Sequence, residues 1–60
     1  MNNDTATYID HVDAYIETAQ LELAKARLQE FGTREEAMHL AEARLALANA
    51  STVLGRTLPH

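Results

Sequence analysis

Apolar side chains recur along the first half of the chain at alternating intervals of three and four residues, the spacing typical of an amphipathic α-helix. One row of this half consists of Ile9, Val12, Ile16, Ala19, Leu23 and Ala26. A second row, on a different side of the same helix, consists of Ala14, Leu21, Ala24, Leu28 and Phe31. Asp4 or Thr5 can cap the start. The pattern predicts a helix from about residue 5 to residue 31.

The second half repeats this arrangement. One row consists of Met38, Ala41, Leu45 and Ala48, and the other, nearly opposite, consists of Leu40, Ala43, Leu47, Ala50 and Leu54. A helix is predicted from about residue 34 to residue 54. Gly55 is expected to end it, because glycine readily adopts the left-handed conformation of a helix C-terminus. A short tail over residues 55–60, with Pro59 inside it, follows.

The segment between these halves contains the residues that separate two helices. Gly32 can take a left-handed backbone conformation without a steric penalty from a Cβ atom. Thr33 and Glu36 have the spacing of a capping box, in which each side chain bonds a free backbone amide at the start of a helix. A turn is therefore predicted at residues 32–33, and the chain is predicted to be one all-α domain, an antiparallel helical hairpin spanning residues 1–60.

Two apolar rows on each helix indicate two neighbours for each helix, as inside a four-helix bundle. A lone hairpin buries one row per helix, so a homodimer of hairpins is predicted. Docking of one row onto a different protein is the alternative. The residues expected in the core or at the dimer seams are Ile9, Val12, Ile16, Leu23, Leu28, Phe31, Met38, Leu40, Leu45, Leu47 and Leu54.

Composition narrows the possible functions. The 60 residues include no cysteine, which excludes disulfides and thiolate metal sites. The N-terminus lacks the basic and apolar regions of a signal peptide, and no apolar run is long enough to span a bilayer. The formal charge of −4 disfavours binding to nucleic acid or to anionic lipid. A cytoplasmic protein, in the style of small bacterial or phage proteins, is expected.

A stripe of acidic residues on the first helix is the first candidate binding surface. Asp10, Asp13 and Glu17 share one side of the helix, and no cation precedes Lys25. Such a stripe is either a solvated face or a docking surface for a basic partner. Tyrosines beside it would strengthen a docking surface, because aromatic residues are enriched at binding hot spots. The candidate partner-binding residues are Tyr8, Asp10, His11, Asp13, Tyr15 and Glu17.

Glu36 and His39 are the weak candidates for metal ligands. The segment Glu36-Ala37-Met38-His39 resembles the ligand motif of ferritin-like proteins, and the resemblance implies a carboxylate from the other helix, for which Glu30 is nearest. Glu36 also has the structural role of a capping-box residue, so a cap with a surface histidine is the competing interpretation. Ser51 and Thr52 have no base nearby, and no phosphate-binding loop is present. No catalytic residue and no cofactor are predicted.

The sequence favours a small noncatalytic protein-interaction module, a dimeric regulator or inhibitor that binds a larger protein, which could itself bind nucleic acid. Two alternatives remain. In length, hairpin layout and dimeric bundle the chain resembles the Rop-type regulators, which implies RNA binding. The pair Glu36 and His39 leaves a metal-binding bundle as the second alternative.

Overall fold

The protein consists of two long helices that pack against each other as an antiparallel hairpin. A computed structural model describes the backbone of residues 3–57 and the side chains of residues 6–56. Helix α1 spans Asn3–Arg27 and helix α2 spans Arg34–Thr57. The Cα atoms extend over 46 × 18 × 9 Å, so the hairpin is a flat rod one helix thick. The all-α hairpin predicted from the sequence is confirmed.

Helix α1 ends at Arg27, four residues before Phe31, the end expected from the apolar rows. Its last turn tightens, because the amides of Leu28 and Gln29 donate to carbonyls three residues back, at 3.1 Å in both cases. The carbonyl of Glu30 then accepts from the amide and the hydroxyl of Thr33, at 3.3 and 2.8 Å. Residues 28–33 therefore belong to the connection.

A cap at Thr33 starts helix α2. The Thr33 hydroxyl accepts a hydrogen bond from the amide of Glu36 at 3.3 Å. The Glu36 carboxylate reaches back one residue further than in a standard capping box and accepts from the amide of Gly32 at 3.0 Å. Gly32 has a φ of +80°, which a residue with a Cβ atom rarely adopts. The turn thus needs glycine here.

Helix α2 continues past Gly55 to Thr57, whereas the sequence predicted a stop after Leu54. Gly55 lacks the positive φ that would end a helix. A glycine inside a helix is less favourable than alanine but does not forbid a further turn. The expected tail therefore shortens to residues 58–60, which lie outside the described residues.

Alanine dominates the buried contact between the helices. The buried residues are Val12, Ala19, Ala26, Ala43, Ala46 and Ala50. Ala19, Ala43 and Ala46 form one cluster at the centre. Because each contributes only a methyl group, the two backbones can approach closely, but little apolar surface leaves water. The hydrophobic core of the single hairpin is therefore small.

The contact line on α1 keeps three residues of the predicted row and replaces the other three by the residues that precede them in sequence. Tyr8, Tyr15 and Glu22 are half-buried on this line, between the buried Val12, Ala19 and Ala26. Their neighbours in sequence are Ile9, Ile16 and Leu23, which the row prediction placed in the seam. This replacement turns those aliphatic side chains from the helix contact to the side of the hairpin.

Candidate interaction surfaces

One side of the hairpin carries two rows of large aliphatic side chains. On both helices these residues come one position after a residue of the contact line, and Leu23 and Leu40 border the same surface depression. A step of one residue turns the side-chain direction by about 100° around the helix axis. Since the two helices are antiparallel, this step turns both rows toward the same side of the hairpin. We call this surface the aliphatic face; it consists of Ile9, Ile16, Leu23, Leu40, Leu47 and Leu54.

The aliphatic face is open to solvent in the single hairpin. Its six side chains are between 39% and 53% exposed. The residues within each row are seven apart, so the rows pair in three levels, Leu23 with Leu40, Ile16 with Leu47, and Ile9 with Leu54. Several half-exposed leucine and isoleucine side chains on one side of a small protein are typical of a protein–protein contact.

A second apolar surface lies on the back of α2. Its depression, of about 500 Å³, is lined by Leu40, Ala41, Arg44, Leu45 and Ala48. Met38 and Leu45, which the sequence assigned to a seam, are both more than half exposed here. We call Met38, Ala41, Leu45 and Ala48 the outer surface of α2. Alanine supplies two of its four residues.

The connection between the helices exposes two large side chains. Phe31 is 96% exposed and Leu28 is 85% exposed. Both were expected in the second row of α1, but α1 ends before them, so they project from the turn. Of the eleven predicted seam residues, only Val12 is buried within the hairpin. The assignment of the other ten to contacts between chains stays a prediction.

The predicted partner-binding residues do not form one surface. Asp10, Asp13 and Glu17 are exposed on the outer side of α1, away from α2. Tyr8 and Tyr15 instead lie on the contact line with α2, and Tyr15 borders a small depression together with Glu42 and Asn49. His11 is exposed beside the tyrosines. The acidic stripe is therefore separate from both aromatic rings.

A polar contact that the sequence did not predict joins the helices near the turn. His39 Nδ1 lies 2.6 Å from Glu22 Oε2, and Lys25 Nζ donates to Glu22 Oε1 at 3.2 Å. Glu22 is only 14% exposed, and the hydrogen bonds from His39 first and Lys25 second lower the pKa of its carboxyl. Glu22 and His39 are equally distant from the observed connection, residues 28–33, but not from the turn predicted at residues 32–33, so the sequence alone did not pair them.

This contact also uses one of the two candidate metal ligands. His39 faces Glu22, while the Glu36 carboxylate bonds the Gly32 amide. Within residues 6–56, no group of three histidine or acidic side chains is close enough to hold a metal ion. The described part of the chain thus assigns structural contacts to both residues.

Within the described residues, neither helix is long and apolar enough to cross a membrane. No protein-family model matches the chain, and no similar curated protein or solved structure was found.

Proposed function

We propose that this chain is a noncatalytic protein-interaction module that acts as a homodimeric four-helix bundle and serves as a regulator or inhibitor of a larger protein. One observation carries the proposal. The hairpin buries mainly alanine between its helices and leaves six large aliphatic side chains half-exposed on one outer face. A second copy covers that face with an identical one, as a two-fold interface requires.

The magnitudes are compatible with a reversible dimer. Complete burial of a leucine or isoleucine stabilises by ~1.5–3 kcal/mol, so finishing the burial of a half-exposed one contributes about 1 kcal/mol. Twelve such side chains, six from each copy, contribute about 12 kcal/mol. Association costs about 4–15 kcal/mol. The two quantities are comparable, which supports a reversible dimer rather than a permanent one.

Further surfaces remain available to another protein after dimerisation. Phe31 and Leu28 project from the turn, and the residues of the outer surface of α2 lie outside the aliphatic face, which they adjoin at Leu40. Exposed aromatic side chains are typical anchors of protein interfaces. The acidic stripe of α1 suits a basic partner, including one that uses a nucleic-acid-binding surface for the contact. Inhibition would follow if the dimer covers that surface.

Light scattering and ultracentrifugation test the dimer. We expect a species of twice the 6.7 kDa chain mass at micromolar concentration, and coupled loss of mass and helicity on dilution. A compact, fully helical single chain at that concentration would overturn the dimer.

Affinity capture followed by mass spectrometry tests the second protein. The control is a variant with Phe31→Ser and Leu45→Asp, both at exposed positions outside the aliphatic face. A protein captured in fixed stoichiometry by the wild-type dimer, and lost with the dimeric control variant, supports the proposal. Equal recovery with both baits, or no stoichiometric protein at several salt concentrations, contradicts it.

A further inference from the structure

Two copies can cover the aliphatic face in two orientations, and the charged residues at its edges distinguish them. A two-fold axis parallel to the helices places both turns at the same end and stacks α1 on the partner's α2. An axis across the helices places the turns at opposite ends and stacks α1 on the partner's α1. The three aliphatic levels coincide in both cases, because they are evenly spaced about Ile16 and Leu47.

The two edges of the face differ in charge. Beside the aliphatic row of α1 lie Asp13 and, further out, Glu17; beside the row of α2 lies Arg44. Among the described residues of the hairpin, none of these three side chains has a hydrogen-bonded or ionic partner. Their charges are therefore free to interact across an interface.

We infer that the partner on the aliphatic face is a second copy with its turn at the same end, so that α1 of each copy stacks on α2 of the other. This inference rests on the proposed dimer. The contact between Glu22 and His39 shows that residue numbers on facing helices add up to about 61. Arg44 therefore stands level with residues 17–18 of α1, and the partner's Arg44 would reach the acidic edge formed by Asp13 and Glu17.

The opposite orientation brings like charges together. It would place Asp13 and Glu17 next to the same two residues of the partner, and Arg44 near the partner's Arg44. Charges within about one Debye length, ~8 Å at physiological ionic strength, interact appreciably at a protein surface. Juxtaposed like charges select against the wrong arrangement, and opposite charges favour the other.

Disulfide cross-linking distinguishes the orientations cleanly, because the chain contains no cysteine. Ile16→Cys and Leu47→Cys are prepared separately, checked for dimeric mass under reducing conditions, and oxidised alone or as a mixture. With the turns together, neither variant cross-links alone, and the mixture yields a covalent species with one chain of each. Rapid self-cross-linking of Ile16→Cys alone would overturn the orientation while leaving the dimer intact. A monomeric wild-type chain would instead refute the proposed function.

Charge reversal gives an independent measurement. Arg44→Glu should weaken dimerisation about tenfold, since two exposed ion pairs are lost and repulsive ones form. Adding Glu17→Arg to this variant should restore most of the affinity. Equal affinities for wild type and Arg44→Glu, or additive losses in the double variant, would contradict the stacking of α1 on the partner's α2.

Discussion

Leu45 and Leu47 form a matched pair that tests which surface the second copy covers. They are two positions apart on the same helix and are similarly exposed in the single hairpin, at 56% and 50%. Leu47 belongs to the aliphatic face, and Leu45 to the outer surface of α2. A substitution to aspartate introduces the same charge at both positions, so differences in helix propensity cancel.

Leu47→Asp should abolish the dimer. Each copy loses about 1 kcal/mol of apolar burial, and each buried, unpaired carboxylate costs a further ~3 kcal/mol. The two copies together lose about 8 kcal/mol, which corresponds to more than five orders of magnitude in affinity. Because only the alanine core then remains, helicity should also fall. Leu45→Asp should change neither mass nor helicity, since its side chain stays in water.

The assay is sedimentation equilibrium with circular dichroism on the same samples over a range of concentrations. A Leu47→Asp chain that keeps wild-type mass and helicity would show that the aliphatic face is not an interface. Loss of the dimer in Leu45→Asp alone would show that two copies meet through the outer surface of α2.

Three further predictions concern contacts within one chain, and each is measured by thermal or urea unfolding at one fixed chain concentration. Gly32→Ala should destabilise the fold by ~1–2 kcal/mol because φ is +80° there. Gly55→Ala, inside α2 with open space around it, should instead stabilise the fold by about 1 kcal/mol. Equal effects of the two substitutions would contradict these backbone conformations. Thr33→Ala should destabilise by about 1 kcal/mol through loss of the cap, and no change would mean that the hydroxyl is replaceable by water. Since the pKa of Glu22 is lowered on folding from 4.5, its contribution is complete above that value and lost as the pH falls through the folded pKa. Glu22→Gln should therefore be less sensitive to acid than the wild type, and an unchanged acid transition would refute this role.

The local sequence was sufficient to predict the two helices and the cap at the start of α2. Helix propensity, the spacing of apolar residues and the pair Thr33 and Glu36 are short-range properties, and they predict two helices separated by a turn near Gly32. The positions of the helix ends could not be predicted as well from the sequence. The carbonyl of Glu30 bonds Thr33 rather than continuing α1, and this competition between the two helix ends depends on the folded turn.

Only the tertiary structure decided which side of each helix lies inside. Rows that differ by one residue, such as those of Tyr15 and Ile16, are both consistent with helical periodicity, because the apolar and small residues of this chain surround much of each helix. The choice depends on how two surfaces fit together at close range. Alanine allowed the closest approach, so the core consists mainly of alanines, and both isoleucines and four of the leucines lie on one outer face.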